Sequence, residues 1–81
     1  MIFIYYIMVN IYTFDNKVVK KILNLNKVDK KQTEKFNEFF INLCSTYQTD
    51  ITDWGKVVDF VKTFENGFNT LKEQYFLYIK E

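Results

Sequence analysis

The chain has 81 residues, of which 48% are hydrophobic, 20% aromatic and 26% charged, and its formal net charge is +1. This length suits a single globular domain, 1–81, because two domains of half the size would be too small to fold unaided. Histidine and arginine are absent and there is one cysteine, which excludes histidine-based catalysis, guanidinium clamps, intrachain disulfides and cysteine-rich metal clusters.

The N-terminal stretch, residues 1–14, carries no charged side chain and is rich in isoleucine, tyrosine, phenylalanine and valine. These residue types favour extended structure, so we predict an apolar strand or arm over 1–14. The run is too short to span a membrane and lacks the features of a signal peptide, so we expect a cytoplasmic protein. Met8 is an alternative start, which would make residues 1–7 an upstream extension.

Helical patterns begin after this stretch. Asp15 or Asn16 is placed to cap a short first helix that ends within residues 24–27. Asp29 and Gln32 have the spacing of a capping box at the start of a second helix. The apolar face of the second helix recurs at helical spacing and consists of Phe36, Phe39, Phe40, Leu43, Cys44 and Tyr47.

A third helix is predicted after a polar turn, with Asp50 or Thr52 as its N-cap. Its apolar positions run at helical spacing from Ile51 to Phe64, and Gly67 is the expected stop in the left-handed conformation.

The last element is ambiguous in the sequence. Thr70 and Glu73 are spaced as a capping box, but residues 75–80 also fit a strand that would pair with the N-terminal run. We favour the helix. The predicted fold is mostly α: a small compact bundle of three to four helices over 15–81 with the N-terminal strand or arm, or α+β if the C-terminal segment is a strand.

Residues able to carry chemistry are few. Cys44 lies on an apolar helix face without a neighbouring base, which predicts a buried hydrophobic role. Asp50 and Asp53 are interpreted as a helix cap and a first-turn acid, and two isolated glycines, Gly55 and Gly67, cannot form a phosphate-binding loop. We therefore expect a protein that is not an enzyme, with no cofactor, metal or small-molecule substrate.

A lysine stripe is the main electrostatic feature. Between residues 15 and 31, six lysines stand against two aspartates, a net charge of +4. Such a stripe is suited to tracking a phosphate backbone, but a solvated helix face in a lysine-rich proteome is the favoured explanation. The lysines that would contact nucleic acid are Lys17, Lys20, Lys21, Lys27, Lys30 and Lys31.

The aromatic residues are numerous for a domain of this size, and some should remain exposed in the monomer. Exposed aromatic surface is typical of interfaces. The best candidates are Tyr5, Tyr6 and Tyr12 in the N-terminal arm, which would meet another protein or a second copy of the chain in a homodimer.

Lysine, phenylalanine, asparagine, isoleucine and tyrosine make up more than half of the chain, as expected from an AT-rich genome. The segment from Val58-Asp59-Phe60 to Asn66-Gly67-Phe68-Asn69 resembles a helix and turn of an anti-CRISPR family. That family is acidic and has a central sheet, so no residue role is transferred. We predict a small non-catalytic protein-binding module of inhibitor, immunity or accessory type, from a phage or mobile element. The alternative is a nucleic-acid-binding accessory protein that uses the lysine stripe.

Overall fold

The structure is a computed structural model that describes residues 11–80. Four α-helices are present in this range: α1 (Asn16–Leu23), α2 (Lys30–Thr46), α3 (Trp54–Val61) and α4 (Phe68–Lys80). The predicted mostly helical fold is confirmed, and the C-terminal segment is helix rather than strand. No strand occurs within 11–80. Most of the predicted N-terminal strand lies outside the described residues, and residues 11–14 have no regular secondary structure.

The first two helices begin at the predicted caps. The Asp15 carboxylate accepts a hydrogen bond from the Val18 N–H at 3.0 Å. The Asp29 carboxylate accepts from the Gln32 N–H at 2.8 Å, and the Gln32 side chain accepts from the Asp29 N–H at 3.0 Å. Both sides of the predicted capping box are therefore formed.

The predicted cap of α3 is wrong: the N-cap is Asp53, not Asp50 or Thr52. The Asp53 carboxylate accepts from the Lys56 N–H at 2.9 Å. The helix starts late because Ile51, which is buried, must first enter the core in a non-helical segment. The Ile51 carbonyl there accepts a hydrogen bond from the Tyr12 N–H at 2.7 Å.

The predicted end of α3 and start of α4 also need correction. Helix α3 ends at Val61, well before Gly67, and a series of turns follows. Asn66 and Gly67 both have positive φ, 69° and 50°, which reverses the chain immediately before α4. Thr70 therefore lies inside the first turn of α4, where its hydroxyl donates to the Glu65 carbonyl, and it is not an N-cap.

One hydrophobic core joins the helices. Helix α1 packs on α2 and α4, and α2 packs on α4. Helix α3 meets α2 through Phe60, whose ring centroid is 6.2 Å from that of Phe40. Of the predicted α2 face, Leu43 is half-buried, Tyr47 is exposed at the C-cap, and the remaining four are buried: Phe36, Phe39, Phe40 and Cys44.

Phe14 holds the N-terminal segment in this core. Its side chain is 1% exposed, and its ring meets those of Phe36 and Phe40 edge to face at 5.1 and 4.8 Å. Full burial of such a side chain contributes about 2–3 kcal/mol. A contact made before α1 thus becomes part of the centre of the molecule.

The Asn37 side chain forms hydrogen bonds with the backbone of Phe14. Its side-chain oxygen accepts from the Phe14 N–H at 2.7 Å, and its amide nitrogen donates to the Phe14 carbonyl at 3.0 Å. By helical spacing Asn37 falls on the side of α2 opposite the apolar face, where a solvent-exposed residue is expected, but it is half-buried. A residue in irregular structure needs partners for its buried peptide groups, and Asn37 supplies both.

Candidate functional site

A groove of about 540 Å³ crosses the surface where α1 meets the first turns of α3 and α4. It is one of several recesses on the described surface, and an exposed tryptophan lines it. A second recess, of about 280 Å³, lies between the ends of α1, α2 and α4. The residues lining the larger groove are Val18, Lys21, Ile22, Asn24, Trp54, Phe68, Asn69 and Lys72.

Trp54 forms the floor of this groove. It is the first residue of α3, directly after the Asp53 cap, and the side chain is 41% exposed despite its size. The indole stacks on the Phe68 ring, with centroids 6.0 Å apart and planes inclined by 14°. Tyr12 and Phe14 support it from the core, with ring centroids at 5.9 and 6.4 Å. The result is a partly exposed indole packed on three other aromatic rings.

Aliphatic and cationic groups complete the groove. Val18 and Ile22 of α1 are half-buried and add an aliphatic wall. Lys21 of α1 and Lys72 of α4 stand at the rim, and within residues 11–80 no carboxylate lines the groove. The recess therefore combines an apolar floor with positive charge at its edge, a composition suited to recognising amphipathic ligands.

The predicted contact residues are only partly brought together. Lys17, Lys20 and Lys21 are exposed and line a recess along α1 that adjoins the groove. Lys31 instead lines the smaller recess beside α4. Lys27 and Lys30 are exposed between α1 and α2 and at the first residue of α2. The stripe is thus divided between different surfaces.

The predicted tyrosines have a different placement. Tyr5 and Tyr6 lie outside the described residues. Tyr12 is half-buried, and its ring packs edge to face on Phe14 at 5.1 Å while also contacting Trp54. Within the described structure, Tyr12 supports the Trp54 floor from behind, and its role as a partner contact stays a prediction.

Among the described residues that line the groove, Lys21 alone is a contact that the sequence analysis predicted. The missed residues include Trp54, Phe68 and Lys72. Helical spacing puts both Trp54 and Phe68 among the apolar positions of their helices, which predicts that they face the core. The sequence held no local signal for Trp54 as a contact, because the predicted cap was Asp50 or Thr52 and only the structure shows that Asp53 is the cap and Trp54 the first helical residue. Nothing in the spacing brings residues 18, 54 and 68 together.

The cysteine is part of the hydrophobic core. Cys44 is fully buried, as predicted, and burial, with a smaller contribution from the Asp50 charge, raises its pKa from 9.0 to about 11. Its thiol is therefore neutral and inaccessible at neutral pH. Over residues 11–80 there is no cluster of three or more histidine, cysteine or acidic side chains suited to a metal. Nor does any helix in that range have the length and hydrophobicity required to cross a membrane.

Comparison of the chain with protein-family models, with curated proteins and with solved structures finds no match. The groove is therefore interpreted from its own geometry and chemistry.

Proposed function

We propose that this chain is a small non-catalytic protein-binding module that acts by occupying a surface of another protein, as an inhibitor, immunity-type or accessory protein does. One observation carries the proposal: Trp54 remains 41% exposed beside the aliphatic wall although its ring packs on those of Tyr12, Phe14 and Phe68. Tryptophan in such a setting is the residue type that contributes most to protein interfaces. The cytoplasm is the proposed location, and a phage or mobile-element origin stays a prediction from composition.

The alternative, nucleic-acid binding, draws support from the exposed Lys17, Lys20 and Lys21 next to the aromatic groove. Stacked bases and phosphates would use such residues. Protein binding is favoured for two reasons. Trp54 already stacks on Phe68, and the groove's aliphatic wall suits a branched apolar side chain better than a flat base. Of the other predicted lysines, Lys31 lines a different recess, and Lys27 and Lys30 do not line the groove.

The test is an affinity capture from lysate of the source type, split into nuclease-treated and untreated halves. The bait is the full chain, with Trp54→Ala as the site variant and Leu77→Ala as the matched control. Leu77 is 57% exposed on α4 and does not line the groove. We expect one dominant protein that is retained after nuclease, lost with Trp54→Ala and kept with Leu77→Ala.

Two results would count against the proposal. If both variants retain the partner equally well, the groove is not the surface that contacts the partner. Captured material that disappears after nuclease treatment would favour the nucleic-acid alternative. Binding that weakens as the salt concentration rises and is lost in the Lys17→Glu/Lys20→Glu variant would confirm nucleic-acid binding. Self-association, the homodimer prediction, is measured separately by sedimentation over a range of concentrations.

A further inference from the structure

The charge around the Trp54 groove narrows the kind of segment it accepts. Of residues 11–80, Lys21 and Lys72 are the charged ones that line it, and both are positive. Lys17 and Lys20 extend the positive surface along the adjoining recess, where Asp15 is the single acidic residue in the described part of the chain. The Asp53 carboxylate, next to Trp54 in the chain, is engaged by the Lys56 N–H at 2.9 Å and does not line the groove.

Apolar and charged contacts act together in such a site. A bulky apolar side chain placed on Trp54 and Val18 would bury surface that is otherwise wet. Carboxylates beside that side chain would reach the lysine ammonium groups at the rim, since lysine stems extend along apolar surface while their charged ends stay in water. Lysines flanking the same apolar residue would meet repulsion, so the rim discriminates between segments of opposite charge.

We infer that the Trp54 groove binds a short acidic segment of a partner protein, in which a leucine or phenylalanine enters the groove and flanking carboxylates pair with Lys21 and Lys72. This inference rests on the proposed protein-binding function and specifies the chemistry of the partner. The occupant is an acidic amphipathic peptide, because the floor of the groove is apolar and its rim is positively charged.

The chain carries its own reporter for this site. Trp54 is its only tryptophan, so selective excitation of indole emission observes the groove directly. The first probe is a synthetic peptide with leucine and phenylalanine between glutamates and without tryptophan. The second has lysines in place of the glutamates, and the third is single-stranded oligodeoxythymidylate. Each is titrated into the full chain at low and at moderate salt.

The expected result is a blue shift of Trp54 emission with the glutamate peptide, weakened by salt, and little change with the lysine peptide. The double variant Lys21→Glu/Lys72→Glu should bind the glutamate peptide about tenfold more weakly or worse, as expected for two exposed ion pairs. It should also gain affinity for the lysine peptide. A control with the same change in charge at exposed positions that do not line the groove, Lys27→Glu/Lys62→Glu, should bind as the parent does.

Several outcomes would overturn the inference. The first is that the glutamate and lysine peptides bind equally well, and the second is that the Lys21→Glu/Lys72→Glu variant binds the glutamate peptide as the parent does. The third is that the oligonucleotide binds more tightly than the glutamate peptide, and the fourth is that no probe changes the Trp54 emission. Retention of the control affinity separates a local effect from misfolding. If the lysate capture yields a Trp54-dependent protein while the glutamate peptide fails to bind, the proposed function stands and only the partner chemistry is wrong.

Discussion

Replacement of Asn37 by alanine tests how the N-terminal segment is held. The side chain accepts from the Phe14 N–H at 2.7 Å and donates to the Phe14 carbonyl at 3.0 Å. The variant removes both bonds and leaves two peptide groups without these partners at the edge of the core. The Phe14 ring joins the N-terminal segment to α2 by packing on Phe36 and Phe40. Weaker attachment of this segment should therefore destabilise the whole core.

The magnitude follows from the two bonds. Each unpaired, partly buried group costs about 1–1.5 kcal/mol, while the higher helix propensity of alanine offsets about 0.6 kcal/mol. The net loss in the free energy of unfolding is therefore about 2 kcal/mol. For a domain of this size that loss lowers the midpoint of thermal unfolding by about 8–16 °C.

Urea denaturation measures the loss, and native-state hydrogen exchange locates it at the Phe14 amide. Asn37→Asp should give a smaller loss and keep the Phe14 amide protected, because the acceptor remains while the donor is gone. Ser45→Ala, at an exposed site on the same helix, is the control. A loss below about 0.5 kcal/mol for Asn37→Ala, the range of ordinary surface changes, or unchanged exchange at Phe14, would refute the reasoning.

Three further predictions concern local features of the fold. Asp29→Ala removes the carboxylate that accepts from the Gln32 N–H and should cost about 1 kcal/mol in urea denaturation. An equal loss in the exposed-site control Glu34→Ala would contradict the cap. Gly67→Ala should cost about 1 kcal/mol in the same assay, because φ is +50°, and a variant as stable as the parent would show that this conformation is not required. The pKa of Cys44 is raised from 9.0 to about 11, which means that the folded state keeps the thiol proton up to a higher pH than the unfolded state does. Its contribution to stability is full below about pH 9 and is lost as the pH rises through about 11. Cys44→Ala should therefore lose stability less steeply over that window, and parallel curves would disprove the coupling.

The features that the sequence predicted are those decided by near neighbours in the chain. The caps at Asp15 and Asp29 depend on backbone groups three residues away. The buried face of α2 depends on a helical period that Phe36, Phe39 and Phe40 display directly. The burial of Cys44 follows from its place on that face.

The wrong predictions involve contacts between distant segments. Helix α3 begins at Trp54 because Ile51 first enters the core and bonds to Tyr12, 39 positions earlier in the chain. Asn37 appeared to be a solvent-facing residue because helical spacing reports which face it occupies and not that an irregular segment passes over that face.

The candidate site depends most on tertiary structure. Composition and the lack of histidine and arginine determined which chemistries this chain can hold, and local patterns determined its helices. Trp54 is the first residue of α3. Only the packing of α1 against α4 brings Val18, Phe68 and two lysines around its indole. That arrangement has no local signature, since residues far apart in sequence become neighbours only when the helices bury their apolar faces together.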